Sequence, residues 1–575
     1  MDGYSDAKFL SHGNSSRAGM TRRDVLRALA AGSTALAGAP LLASFGIGDT
    51  AVVAAPARAI GQAVDVTLVT VEDVPYPGIP TAEQQAADPS LKAYAEAVQP
   101  WMDENPGVKL EQITFDVYDQ EALLVAISGG TAPSFYPAEV LADWDEELVL
   151  AAEKSGLAAD VTEQVAQLGL DKKLADYALP IWKSKEVEGR HYALPYYYNC
   201  GDGIHYRIDL IKEAGLEEPV NGWTWEDLRN LAKALTTPER KAIGMHTFGL
   251  TQPLTAEGWG YIVLRNRLPD PEGSWDWKYD FTSSAEEWAE RIAWTRSMIF
   301  EDQSVLADVA LEDDEIQSQF IQGAIAMMTN NVTYHTTSPS PSVELSMSRA
   351  ADELGKPIEE VFGYIHFPFG RNGYTNTSWG QVDTMALNPD LDQTQLEKAA
   401  SLHLYMTGGP GFVSLKQAAW DETHDLRYVW VAGDITPLYK PEVLEGMPGT
   451  PEEAWGEAFM KNVLNVANRP LMPWPHWFIT PQSTSGPAVT PMDDARDRWF
   501  LDASEPDIMA DLQALQDTMN QQAAGFTSEN PKDEFLAGAK AFYDAQAAYW
   551  EANSPEFYNN VFKPWYDTQV APNLG

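Results

Sequence analysis

The sequence predicts an α/β protein of at least two compact units, and three observations carry that prediction. A chain of 575 residues is longer than one hydrophobic core ordinarily organises. Residues 64–139 alternate strand-like and helix-like patterns at the spacing of βαβ units, which favours a parallel sheet. No heptad run, solenoid-period repeat or long low-complexity linker interrupts the chain, so the units are expected to be interwoven compact bodies.

TRRDVLR at 21–27 puts two adjacent arginines before ALAAGSTALAGAPLLASFG, a stretch too short and glycine-rich for a transmembrane span. A basic start, an apolar middle and the small-residue site Ala57-Arg58-Ala59 make an export signal over 1–59, and its pattern resembles the twin-arginine type. No cysteine stands at the expected cleavage point, which argues against a lipoprotein. Residues 1–59 carry six Lys/Arg and four Asp, so their loss takes the net charge from −45 to −47. That acidity argues against nucleic acid and anionic membrane surfaces as partners. The single cysteine, Cys200, permits no intrachain disulfide, and with no Lys or Arg within three residues it reads as structural.

VDVTLVTV (64–71) alternates as a strand, and LKAYAEAVQPWMDENPG puts Leu91, Tyr94, Ala95, Val98 and Met102 on one helical face before a Pro-Gly stop. VKLEQITFDV (108–117) is a second strand, DQEALLVAISGG a helix ended by Gly129-Gly130, and SFYPAEV a third short strand. Ligands of such sheets sit at the carboxyl ends of the strands, which here carry Glu72-Asp73, Tyr118 and Glu139. In ALPYYYNCGDGIHYRIDLIKEAGL (193–216) Asp209 is expected to cap a helix that Gly215 terminates. Thr224 and Asp227 form a capping box ahead of the inward stripe Trp225, Leu228, Leu231 and Leu235. EDDEIQSQFIQGAIAMMTNN (312–331) is a helix ending near Gly323, then a buried strand that delivers Asn330 and Asn331.

Five phrases, ISGGTAPS, GRHYALPYYYN, YRIDLIKEAGL, GWTWEDLRNLAKAL and FIQGAIAMM, stand in the order and spacing of family 1 extracellular solute-binding proteins, the sugar-type receptors of ABC importers. The chain resembles that family from about residue 62 to 525. It departs from the family pattern at Ser134, where an Asp is usual, and in a C-terminal extension that includes a helix over 533–553 and Trp565. The resemblance implies a two-lobed type II periplasmic-binding-protein fold with three interlobe crossings, near Ala193–Tyr198, Phe362–Pro368 and Gly433–Tyr439. It implies a first lobe of 60–192 plus 366–432, a second of 193–365 plus 433–525, and an extension over 526–575. A monomeric, periplasmic receptor with no cofactor is expected, its partners a small carbohydrate-like ligand and ABC permease subunits.

Strict alternation would turn Tyr196 and Tyr198 one way and Tyr197 and Asn199 the other, one face reaching the interlobe cleft. Sugars suit aromatic platforms, because a pyranose offers an apolar CH face and a hydroxyl rim. Trp259, Trp379 and either Trp474 or Trp477 are candidate platforms, with Tyr198 beside them. Glu72, Glu139, Asn331, Gln381, Asp383 and His476 are candidate rim partners. Trp223, Trp225, Trp420 and Trp550 are expected to pack in cores. Arg371 and Lys416 are the cations near these segments that an anionic ligand would want.

The competing classes are a secreted glycoside hydrolase and an extracellular lectin. Carboxylates are abundant enough to make a hydrolytic pair. Against an enzyme, the chain has no eightfold βα repeat, G-x-S-x-G elbow, HExxH motif, close His pair for zinc or GxxxxGK[ST] loop. Asp390 and Asp392 lack the glycine and terminal Glu of a calcium loop and read as helix-start residues.

Overall fold

The computed structural model describes residues 66–71, 78–141, 156–183, 185–186, 189–199, 202–244, 267–274, 276–306, 313–331, 346–368, 381–431, 434–468, 489–524 and 531–574. The expected export signal, Cys200 and the Gly433 end of the third expected crossing lie outside the described residues.

β1 (Val66–Thr70) buries Val66, Leu68 and Thr70 and pairs in parallel with β2 (Val108–Gln112) from Val66↔Val108 to Thr70↔Gln112. The expected longer second strand stops at Gln112, since β1 ends at Thr70 and the last bond is Ile113 N–H to the Thr70 carbonyl. The connecting helix Pro89–Glu104 starts at the Asp88 cap and buries Tyr94, Ala95, Ala97, Val98 and Trp101. Its inward face takes in Trp101 besides the expected positions, with Met102 half-buried against the core and the Trp101 indole donating to Ser401 Oγ on the helix Gln393–Gly408 at 3.1 Å. Helix Gln120–Ser128 is capped by Asp119 and released by Gly130 at φ +67°. β3 (Phe135–Pro137) is fully buried. Just before it, Ser134 accepts from Val69 N–H through Oγ at 2.9 Å and donates its own N–H to the Val69 carbonyl at 2.7 Å. The serine that departs from the family pattern thus replaces a ladder bond beside β1.

Two further sheets follow, built from β4 (Ala193–Asn199), β5 (Asp202–Arg207), β6 (Lys241–Gly244), β9 (Val305–Leu306), β10 (Ile325–Asn331), β11 (Phe362–Ile365) and β12 (Gln381–Leu387), while β7 (Arg267–Pro269) and β8 (Trp277–Tyr279) form a separate hairpin. One sheet has the order β3-β12-β4 with β12 antiparallel to both neighbours. The other has the order β11-β5-β10-β6-β9, with β5 antiparallel to β11 and β10 and the β10-β6-β9 side parallel. β4 pairs along its length with β12, so the first expected crossing, Ala193–Tyr198, is itself a strand of the three-stranded sheet. The chain passes to the five-stranded sheet only between Asn199 and Asp202.

The five-stranded sheet is pinned at one corner by Arg207. Its guanidinium binds both carboxylate oxygens of Asp209 at 2.8 and 2.7 Å, donates to the carbonyl of Ile321 at 2.9 Å and lies over the Phe362 ring. Asp209 therefore does not cap the helix Ile208–Glu213: the cap position is Arg207, with no side-chain bond, and Asp209 in the first turn serves the buried cation. Gly323 ends the helix Asp313–Gln322 at φ +79°, and a Cβ there would stand 2.8 Å from the Arg207 guanidinium. On β5 and β11 two tyrosines lie across glycines of the opposite strand, Tyr206 over Gly363 and Tyr364 over Gly203.

One apolar cluster runs from β1–β4 and β12 through the helix Glu457–Ala467 to Ile325, Phe362 and Tyr364 of the five-stranded sheet. A second joins Ile204, Tyr206, Ile243 and Met327 to the helices Trp225–Leu235, Ala285–Arg296, Val489–Phe500 and Ile508–Ala523. Trp225, Leu228 and Leu235 are buried behind the expected Thr224–Asp227 capping box, and Asp392 caps the helix Gln393–Gly408. The third cluster is the C-terminal extension, where Phe535, Tyr543, Trp550, Phe562 and Trp565 pack with Leu268 and Trp277 of the β7–β8 hairpin. Asn520 continues that hairpin, accepting from Tyr279 N–H at 2.7 Å and donating to its carbonyl at 3.0 Å.

Candidate functional site

The two sheets approach each other where the chain passes between them. The end of β4 lies beside the start of β12, with Tyr197 opposite Asp383, Tyr198 opposite Val382 and Asn199 opposite Gln381. Directly after the passage, the start of β5 lies beside the end of β10, with Asp202 opposite Asn331 and Gly203 opposite Asn330. Strand ends from both sheets thus converge on one junction, where ligand sites of α/β sheets form.

The tyrosines at this junction do not alternate. Tyr197 pairs with Asp383 and Pro195 with Thr384, so Tyr196 is an extra residue with no partner on β12, a β-bulge. Its consequence is visible in the rings: Tyr196 and Tyr197 meet edge to face, centroids 5.3 Å apart at 83°. Successive residues of a regular strand point to opposite faces and cannot meet this way. The expected grouping of Tyr196 with Tyr198 is therefore replaced by a Tyr196–Tyr197 pair, both half-buried. Tyr198 is fully buried, its ring 4.8 Å from that of Tyr177 and its hydroxyl directed to the Ala467 carbonyl at 3.5 Å.

Asp383 is 4% exposed on β12 and faces the side that carries Tyr197. Behind β4, the His403 imidazole is fully buried and its Nε2 donates to the Pro195 carbonyl at 2.8 Å. Burial pushes this imidazole down to about 4, against a smaller opposing effect of that carbonyl. Lys416 is committed to an ion pair with Asp434 and lies over the Phe412 ring, 5.2 Å from its centroid. Among the described residues no group of three or more His, Cys, Asp or Glu is arranged to hold a metal, and no helix is long and apolar enough to cross a membrane.

Residues 81–358 match the family of bacterial extracellular solute-binding proteins. Over these residues the chain is similar to that family. Three solved structures share the fold with a TM-score of 0.50 each. An ABC substrate-binding protein from Listeria monocytogenes in complex with cycloalternan is 16% identical, with 81% of this chain and 100% of that one covered. A cyclic α-maltosyl-1,6-maltose binding protein from Arthrobacter globiformis is 13% identical, over 81% and 100%. A chitin oligosaccharide binding protein is 14% identical, over 80% and 99%. No curated protein matches the chain. The mixed helix and sheet architecture is that of two-lobed solute-binding proteins.

The structure places some candidate ligand residues and leaves others undescribed. Asp383 and the backbones of Gln381 and Asn331 stand at the junction, while Tyr198 lies in the core behind it. The backbone of Glu139 is in the short helix that follows β3. Glu72, Trp259, Arg371, Trp379, Trp474, His476 and Trp477 lie outside the described residues. Trp223, Trp225 and Trp550 are buried, and Trp420 packs at the edge of the first cluster, as packing roles require. The bulge and its histidine were missed in the sequence reading. Pro195 was the available signal, since proline inside a strand marks an edge or a bulge.

Proposed function

We propose that this solute-binding protein is the receptor of an ABC importer and captures a carbohydrate-like solute, a sugar, oligosaccharide or polyol, between its two lobes. The observation that carries the reading is the half-buried Tyr196–Tyr197 pair beside Asp383 at the junction of the two sheets. Aromatic rings with a carboxylate at their edge suit the apolar face and hydroxyl rim of a pyranose. The family match supports capture rather than chemistry, and the three structures of similar fold are proteins described with cycloalternan, cyclic maltosyl-maltose or chitin oligosaccharide. Trp259, Trp379 and Trp477 are proposed as further platforms, with Glu72, Glu139, Asn331 and His476 as rim partners.

In this reading the first lobe holds β1–β4 and β12, the second holds the five-stranded sheet, and 526–575 is an extension. The second and third crossings are proposed near Phe362–Pro368 and Gly433–Tyr439. Ligand held by one lobe draws the other over it, and the closed form is what permease subunits recognise. The protein acts as a monomer without cofactor, exported by the twin-arginine route to the periplasm.

Thermal unfolding against linear and cyclic α-glucans, chitin and xylan oligosaccharides and mannitol tests the proposal. A bound sugar at 100 times its Kd adds about 2.7 kcal/mol of stability. A shift with the sugar recovered intact supports a receptor. A sugar recovered cleaved would make the protein a hydrolase, and no shift with any of them would remove the carbohydrate assignment.

A further inference from the structure

We infer that His403 is a positioning residue for solute binding: it secures the β4 bulge that turns Tyr196 and Tyr197 together toward the junction. The inference rests on the receptor reading above. Its geometric basis is independent of any ligand. A bulge interrupts the ladder between β4 and β12 at Tyr196, and the carbonyl just before it belongs to Pro195, which has no N–H of its own to anchor the strand there. That carbonyl receives the His403 Nε2–H at 2.8 Å from a helix 208 residues further along the chain. The imidazole is fully buried, and burial keeps it neutral at ordinary pH, so Nε2 carries the single ring proton that it donates.

The alternative registers of β4 explain why such a tether is needed. Without the bulge, the three tyrosines would alternate and Tyr196 would leave Tyr197 for the opposite face. With it, the two rings sit edge to face beside Asp383, while Tyr198 stays in the core against Tyr177. Leu194, Tyr198, Val382 and Met385 are all buried, so apolar packing holds the two ends of β4. The hydrogen bond from His403 acts between those ends, at the one point where the register changes. Its role is thus to choose which way two half-buried aromatic rings face.

Three full-chain variants test this. His403→Gln carries an amide N–H close to the position of Nε2. His403→Asn carries one that stops short of Pro195, and His403→Met carries none. Amide hydrogen exchange of the 193–199 segment, measured without sugar, is expected to speed up in H403N and H403M and to return toward the wild-type rate in H403Q. Affinity for whichever of maltotriose, chitotriose, xylotriose or mannitol the wild type binds is expected to fall about tenfold in H403N and H403M and to be rescued in H403Q. In a background carrying both Tyr196→Ala and Tyr197→Ala, His403→Asn is expected to cost no further affinity, because both rings it positions are gone.

Equal exchange in H403N and wild type overturns the inference whether or not a sugar binds. Faster exchange with unchanged affinity shows a bulge tether that positions nothing for the solute, and the same loss of affinity with and without the two tyrosines shows a general structural role; either result overturns it. A wild type that binds none of the four compounds counts against the receptor reading, and the exchange data still decide the tether.

Discussion

The five-stranded and three-stranded sheets hold their strand ends in different ways. β5 meets β10 and β11 residue by residue without a register break, and its corner is tied by Arg207 to an aspartate two residues away and to a neighbouring helix end. β4 meets β12 through a bulge tied by a histidine 208 residues away. In a regular ladder a side chain's direction follows from counting along the strand. In a bulged one it depends on whatever secures the bulge, so the three-stranded sheet aims its tyrosines by a contact between distant parts of the chain.

Breaking the regular sheet has the largest expected effect. Arg207→Met leaves Asp209, whose side chain is 12% exposed, without its countercharge, and is expected to cost about 3–5 kcal/mol in chemical denaturation. A loss below 1 kcal/mol would mean that the corner is not what holds the sheet.

Acid attacks the bulged sheet instead. His403 titrates near 4 in the folded state, below its ordinary 6.5, so the folded protein binds fewer protons than the unfolded chain between those values. Its contribution is complete above pH 6.5 and declines as pH falls, by about 3 kcal/mol at pH 4. The stability difference between wild type and H403Q, followed from pH 7 to 4, isolates it from other acid effects. A difference that stays flat would remove this origin.

Gly363→Ala sharpens the contrast from the other side, because a Cβ there would stand 2.2 Å from the Tyr206 ring. The expected cost is about 1–3 kcal/mol of stability, with exchange in the 193–199 segment unaltered. The smallest effect belongs to a helix cap remote from both ties: Thr224→Ala removes the acceptor of Asp227 N–H and is expected to cost about 1 kcal/mol by thermal or chemical unfolding.

Much of the fold was legible because its signals are local. The capping box at Thr224, the helix start at Asp392, the stops at Gly130 and Gly323, and the alternation in β1 each depend on residues within one or two turns of the chain. The errors have one physical origin. Asp209 has the form of a helix cap, yet it stands inside the first turn, where its carboxylate holds a buried arginine as well as the Leu210 N–H. Trp101 stands off the expected helical stripe, yet it is buried where its indole meets Ser401. Tyr198 has the form of a cleft residue, yet Tyr177 and the helix Glu457–Ala467 cover it.

From sequence alone came the α/β class, the resemblance to solute-binding proteins and the elements near the junction, because periodicity, caps and stops act over a few residues. Only the tertiary structure decided that β4 belongs to the three-stranded sheet and that Tyr196 faces with Tyr197. A register shift of one residue reverses which side chains share a face, and here its tether is a hydrogen bond between residues 195 and 403, which no local pattern records.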